Sequence, residues 1–266
     1  MARVLYELTS LAEANPRTRK LRRAAASGWM IACLLGSALV AAVAMAVPAG
    51  AATLRVAVAA NFRSAAEQLL KQYEKESGVA AEISSASTGV LAAQIQKGAP
   101  FDVFLAADER RPATLIENGF AVAPSQCYAR GELVLLGAPT VAALKAPGEQ
   151  RLSISNPRTA PYGRAAHEVL TSLGADFADD RLLTASNVQQ AFSYYALGVA
   201  DLALVARALA TDEGVPVPPD LHEPILQHAV VVRRSARREE SLALIRWLAG
   251  DTARMTMTEL GYRACS

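Results

Sequence analysis

Cysteine and histidine are scarce in this chain, three of each among 266 residues. His167, His222 and His228 are scattered, with no spacing that would set ligands around a metal ion. No GxSxG nucleophile elbow and no Walker phosphate loop occurs, so the sequence carries neither of those catalytic signatures. Internal repeats and low-complexity tracts are also missing. Asp102 and Asp108 bracket an apolar run, but nothing around them would split two carboxylate pKa values for acid and base work. Asp108 reads as a helix cap, and no residue is assigned a catalytic role. What is present is a globular composition, 52% apolar and 20% charged, long enough for one large or two modest domains with real cores.

The first fifty residues differ from the rest. A basic stretch (Arg17, Arg19, Lys20, Arg22, Arg23) precedes an uncharged apolar run from Gly28 to Val47, then Pro48-Ala49-Gly50-Ala51. This is the layout of a cleavable secretory signal peptide, residues 1–51, with small residues at Ala49 and Ala51 for cleavage after Ala51. At about 20 residues the run is also long enough for an uncleaved membrane anchor, but its Ala-rich character and the helix-breaking Pro48 favour a signal. Arg22-Arg23 is at most a fragment of a twin-arginine motif. Without residues 1–51 the chain keeps 21 basic and 23 acidic residues, so the basic balance belongs to the leader and a nucleic-acid partner loses its support. Cys127 and Cys265 remain after cleavage, an even pair that an oxidising compartment can bridge. The alternative, two separate thiols, stays open because spacing alone does not bring their Cα atoms within reach.

Along the rest of the chain, short β-rich runs alternate with amphipathic patterns. Expected strands are 54–59, 79–84, 102–106, 132–136, 152–155, 181–183, 202–205 and 228–232. Between them the periodicity predicts helices over 62–77, 90–97, 109–118, 164–173, 188–197, 239–248 and 252–260. Residues 138–148 read as a connection, and residues 211–224, with four prolines, as loop without regular pairing. This alternation argues an α/β fold with mostly parallel sheets. Tyr194-Tyr195 falls inside a helix and reads as core. The arginines at 233, 234, 237 and 238 are offset by Glu239 and Glu240 and read as a solvated face.

In such folds ligands sit beyond the carboxyl ends of strands, where helices begin. Four of these junctions are polar or glycine-containing: Ala60-Asn61, Ser87-Thr88-Gly89, Pro161-Tyr162-Gly163 and Ser186-Asn187-Val188. Each offers unpaired N–H groups at the positive end of a helix dipole, which favours anions. Any one of them is explained by ordinary capping. Their number, two in each half of the chain, points to a cleft that gathers four helix starts around one small anion.

The segments VAVAANF (56–62), SSASTGVLAAQIQKGAPFDVFLAAD (84–108), APYGRAA (160–166) and SNVQQAF (186–192) resemble the periplasmic molybdate-binding proteins, the soluble receptors of molybdate uptake transporters. The resemblance covers nearly all of the chain after the leader. It implies a two-lobed type II periplasmic binding-protein fold, each lobe a mostly parallel sheet flanked by helices. The first lobe would be residues 52–131 with 229–266, the second 132–228. It further implies a periplasmic monomer without cofactor that takes molybdate or tungstate as a dehydrated dianion and delivers it to an inner-membrane ABC permease. Carried over, Asn61 and Thr88 would give side-chain and backbone donors, and Tyr162 and Val188 backbone N–H groups. Molybdenum would be held only within the oxyanion. Two positions depart from the pattern: Ala206 stands where some members place a tyrosine hydroxyl, and Ala60 where others have serine or threonine.

Three other readings compete. A receptor for sulfate or thiosulfate shares the charge and shape of the ligand. An enzyme on the same bilobed fold would need a nucleophile or acid–base pair in the cleft, and no junction presents His, Cys, Asp or Glu. An effector-sensing domain of a regulator conflicts with the export signal and the absence of a DNA-binding module.

Overall fold

The computed structural model describes residues 53–210 and 213–265; the leader assigned to residues 1–51 lies outside them. Two five-stranded sheets organise the described residues. The first contains β1 (Leu54–Ala59), β2 (Ala81–Ala86), β3 (Val103–Leu105), β4 (Ala121–Gly131) and β10 (Ile225–Val232), in the order β2-β1-β3-β10-β4. The second contains β5 (Leu133–Leu136), β6 (Leu152–Ser155), β7 (Leu182–Ala185), β8 (Leu202–Ala206) and β9 (Val215–Pro216), in the order β7-β6-β8-β5-β9. One strand of each sheet, β10 and β5, runs antiparallel to both neighbours, and the remaining pairs are parallel.

The inner parallel strands β1, β3, β6 and β8 are buried on both faces along nearly their whole length, as helical crossovers require, while the edge strands β2 and β7 are partly exposed. Side chains alternate across β1: Leu54, Val56 and Val58 share a core with Leu69, Leu70 and Tyr73 of α1 (Arg63–Ser77) and with Leu244 and Leu248 of α7 (Arg238–Leu248). Ala57 faces the other way, with Phe104 and Val230, toward Leu91 and Ile95 of α2 (Thr88–Gln96) and Leu115, which lies in α3 (Arg110–Glu117). The period-2 alternation therefore serves two helix layers at once. The second sheet forms one core with α4 (Pro161–Leu173) and α5 (Val188–Ala196). Tyr194 and Tyr195 are partly buried against it. Helix α1 ends at Gly78, whose φ of 73° is the left-handed conformation that glycine adopts without penalty, and its N–H closes on the Glu74 carbonyl.

The chain passes between the sheets at Glu132, joining β4 to β5, and again between β9 and β10. These crossings lie side by side, with Ile225 opposite Gly131. The carboxyl-terminal segment straps the same place. Arg130 and Arg263 exchange backbone hydrogen bonds of 2.8 and 2.9 Å, and a disulfide joins Cys127 to Cys265 with Cα atoms 6.2 Å apart.

Three local expectations change. Val215–Pro216 pairs with β5 despite the prolines around it. It is an edge strand, where the missing N–H of proline breaks no inner ladder. Residues 121–131 form the longest strand, 11 residues, although only Ala121, Tyr128, Ala129 and Gly131 in it are buried. The connection after β5 includes a 3-10 turn, Val141–Lys145.

The disulfide closes a loop of 138 residues, which limits the unfolded chain strongly. Replacing both Cys127 and Cys265 by serine is expected to lower unfolding free energy by roughly 2–5 kcal/mol, measured by urea unfolding, with the native far-UV spectrum retained.

Candidate functional site

The end of β1 turns directly into a 3-10 segment, Ala60–Phe62, which carries Asn61 into the interior at 2% exposure. The Asn61 amide donates to Gln227 Oε1 at 2.9 Å. Its backbone carbonyl accepts the Tyr262 hydroxyl at 2.7 Å, and Gln227 Oε1 also accepts the Tyr128 hydroxyl at 3.1 Å. Asn61 is thus held by a polar network that reaches into β10 and β4 at the crossings.

Thr88 is the first residue of α2 and is 1% exposed. Its Oγ1 accepts the Ala107 N–H at 3.2 Å. Accepting this bond leaves the hydroxyl proton able to donate. Helix α4 opens with Pro161 at its first position, where the missing N–H breaks no bond, and Tyr162 follows. In α5, Asn187 caps the helix by accepting the Gln190 N–H at 3.0 Å, while the Gln190 side chain accepts the Ser186 N–H at 2.7 Å. This reciprocal box leaves Val188 as the first helical residue. The N–H groups of Thr88, Tyr162 and Val188 have no intrahelical acceptor by their position, and none finds another among the described residues.

These helix starts face one another. Ala59 and Ala107 of the first sheet's domain are buried in one cluster with Tyr162, Val188 and Ala206 of the second, and α5 packs against the Ala60–Phe62 turn. Across the junction the Gly89 N–H donates to the Thr159 carbonyl at 2.8 Å, and Arg111 Nη2 to the Arg158 carbonyl at 2.9 Å. Asn61, Thr88, Tyr162 and Val188 are therefore brought together, each at most 3% exposed. Asp108 and Arg111, both largely buried, form an ion pair with each other, with Arg111 next to Gly89. No group of three or more His, Cys, Asp or Glu able to hold a metal ion occurs among the described residues.

Among the described residues, three buried side-chain polar atoms have no hydrogen-bond partner: Ser87 Oγ, Ser155 Oγ and Gln227 Nε2. Ser87 lies within a recognised junction. Ser155 and Gln227 carried no sequence signal, since a hydroxyl in an apolar strand reads as core filler. Ala206, at the end of β8, is fully buried and opposite Leu133; its methyl group offers no donor.

Two α/β domains joined by paired crossing strands, with helix starts closed on a buried seam, define a bilobed solute receptor. Residues 54–263 match the family of bacterial extracellular solute-binding proteins. The molybdate-binding protein ModA of Azotobacter vinelandii is 39% identical over 233 residues, covering 82% of this chain and 92% of that protein. ModA of Rhodobacter capsulatus is 34% identical over 82% of this chain and 91% of its own length. The solved periplasmic molybdate-binding protein of Azotobacter vinelandii superposes with a TM-score of 0.75 at 37% identity, over 80% of this chain and 100% of that one. The chain belongs to the bacterial extracellular solute-binding protein family. It is a receptor, not an enzyme.

Burial fixes the protonation of the site's phenols. Desolvation holds the hydroxyls of Tyr128, Tyr162 and Tyr262 above the ordinary tyrosine range; at Tyr162 the charges of Tyr262 and Glu132 add to this, and the polar side chain of Asn61 opposes it. A raised folded-state pKa means these groups contribute stability that is full below the unfolded tyrosine pKa of about 10 and is lost as pH rises past it. Alkaline titration followed by tyrosine absorbance is expected to show these three ionising only together with loss of the native fold.

Proposed function

We propose that this chain is the receptor of a molybdate uptake system, closing its two lobes over molybdate or tungstate. The observation that carries the reading is the seam itself: uncharged donors from both lobes, all buried, converge, while the charges beside them, Asp108 and Arg111, are paired with each other. Such a set suits a dehydrated tetrahedral dianion, which supplies the charge that makes each hydrogen bond strong. Neutral donors also spare the protein the cost of desolvating a charge of its own when the lobes close. The family and the relatives named for molybdate support the same reading.

In this reading residues 52–131 with 229–266 form one lobe and 132–228 the other, hinged at the crossing strands. Asn61, Thr88, Tyr162 and Val188 hold the oxyanion, and no cofactor takes part. After removal of residues 1–51 the monomer works in the periplasm and hands its ligand to an inner-membrane ABC permease. Selection against sulfate, which has the same charge and shape, rests on the size of the closed cavity.

Calorimetric titration of the purified protein with molybdate, tungstate, sulfate and phosphate tests the reading. Heat and tight binding are expected for the first two; heat from sulfate alone would replace the ligand, and none from any would overturn the receptor for oxyanions. Thr88→Ala is expected to weaken molybdate binding by about 1–3 kcal/mol through loss of one donor to a charged ligand. Gly89→Ala is expected to weaken it as well. A Cβ there would lie 2.9 Å from the Thr159 carbonyl oxygen and 3.1 Å from Arg111, so closure must give way, and small-angle scattering of the ligand-bound variant should show a more open body than wild type.

A further inference from the structure

Two of the unpartnered polar atoms have close counterparts in the same molecule that are fully satisfied. In β6, Ser153 and Ser155 are two residues apart, so they project from the same face of the sheet. Both are completely buried. Ser153 Oγ donates to the Ala191 carbonyl of α5 at 2.7 Å, whereas Ser155 Oγ has no partner. Ser155 is the last residue of its strand and pairs with Ala185, which leads through Ser186 and Asn187 into α5. Its hydroxyl therefore lies on the α5 side of the sheet, at the end where Val188 begins the helix.

Ser87 repeats the pattern in the other lobe. It holds the N-cap position of α2 with extended φ and ψ of −65° and 147°, yet makes no side-chain capping bond. Asn187, in the same position of α5, caps its helix. Ser87 is 4% exposed and its Oγ is shielded from bulk solvent. A buried hydroxyl left without a partner is unfavourable and uncommon in folded proteins. Here one occurs in each lobe, beside the helix starts that carry Thr88 and Val188.

We propose that the hydroxyls of Ser87 and Ser155 are additional oxyanion donors, one from each lobe, completing the shell begun by Asn61, Thr88, Tyr162 and Val188. The assignment rests on the oxyanion-receptor reading above. A tetrahedral anion offers four oxygens, each able to accept more than one hydrogen bond, so two further hydroxyls fit beside the backbone N–H groups without competing for the same lone pairs. Because each hydroxyl comes from a different lobe, both bonds exist only when the lobes are closed.

Two opposite effects distinguish this role from simple packing. Removing an orphaned donor should leave the ligand-free protein as stable as wild type or more so, while weakening the complex. Ser155→Ala and Ser87→Ala are each expected to raise the Kd for molybdate by about 10- to 100-fold, as for loss of a hydrogen bond to a charged group, with the ligand-free melting temperature unchanged or raised. Ser153→Ala, which breaks a satisfied bond, is expected to lower the melting temperature and leave Kd near wild type. All four proteins are titrated with molybdate, tungstate, sulfate and phosphate, and the variants are compared on whichever anion binds wild type most tightly. Wild-type binding with unchanged Kd in both serine variants overturns the assignment alone. Absence of heat from every anion with wild type overturns the assignment together with the receptor reading. A fall in both melting temperature and affinity in the two variants also overturns it, because it marks the hydroxyls as structural.

Discussion

Unsatisfied N–H groups at helix starts are the constraint around which this molecule is arranged. Every helix leaves its first amides without an internal acceptor, and most proteins turn that end toward water or a capping side chain. Here Thr88, Tyr162 and Val188 lie at helix starts that are turned inward and buried against the opposite lobe. The strands deliver them there: β2 ends at Ala86 just before Thr88, β7 ends at Ala185 just before Val188, and a short turn carries β6 to Pro161 and Tyr162. Capping is supplied only as far as it does not consume the useful donors. Asn187 and Gln190 satisfy the amides of Gln190 and Ser186, and Val188 is left.

A second layer holds these donors in place from the crossings. Gln227 sits in β10 and accepts from both Asn61 and Tyr128. Tyr262, close to the strap formed by Arg263 and Cys265, fixes the Asn61 carbonyl. The ring of Phe62 packs at 4.8 Å from Tyr128 and 5.1 Å from Tyr262. The residue proposed to meet the ligand is therefore braced by the strands about which the lobes turn. In a densely packed interior such linkage transmits displacement instead of absorbing it.

Much of this was legible in the sequence because helix starts leave chemical marks. Asn61, Thr88, the Pro161-Tyr162 pair and Asn187 stand at changes of periodicity, where polar or proline residues have positional meaning. The chain's bilobed plan followed from resemblance, since alternation alone does not say that β10 returns to the first sheet. Other features carried no local signal. The long β4 was hidden because most of its side chains are at least partly exposed, which weakens the apolar alternation that marks a strand. β9 was hidden by proline, tolerated there because the strand is at an edge. Ser155 looks like any small residue in a buried strand; its meaning lies in the bond it lacks, which only coordinates reveal.

Gly89 links ligand contact to movement in time. Its N–H crosses to the Thr159 carbonyl from the same helical turn that presents Thr88, and no side chain stands between the two backbones. An oxyanion held as proposed, by residues with almost no solvent exposure, would leave only when the lobes part. Its residence time is then set by how often the body opens rather than by the strength of any one contact. A partner that spreads the lobes would act on the dissociation rate directly, without needing to compete for the anion.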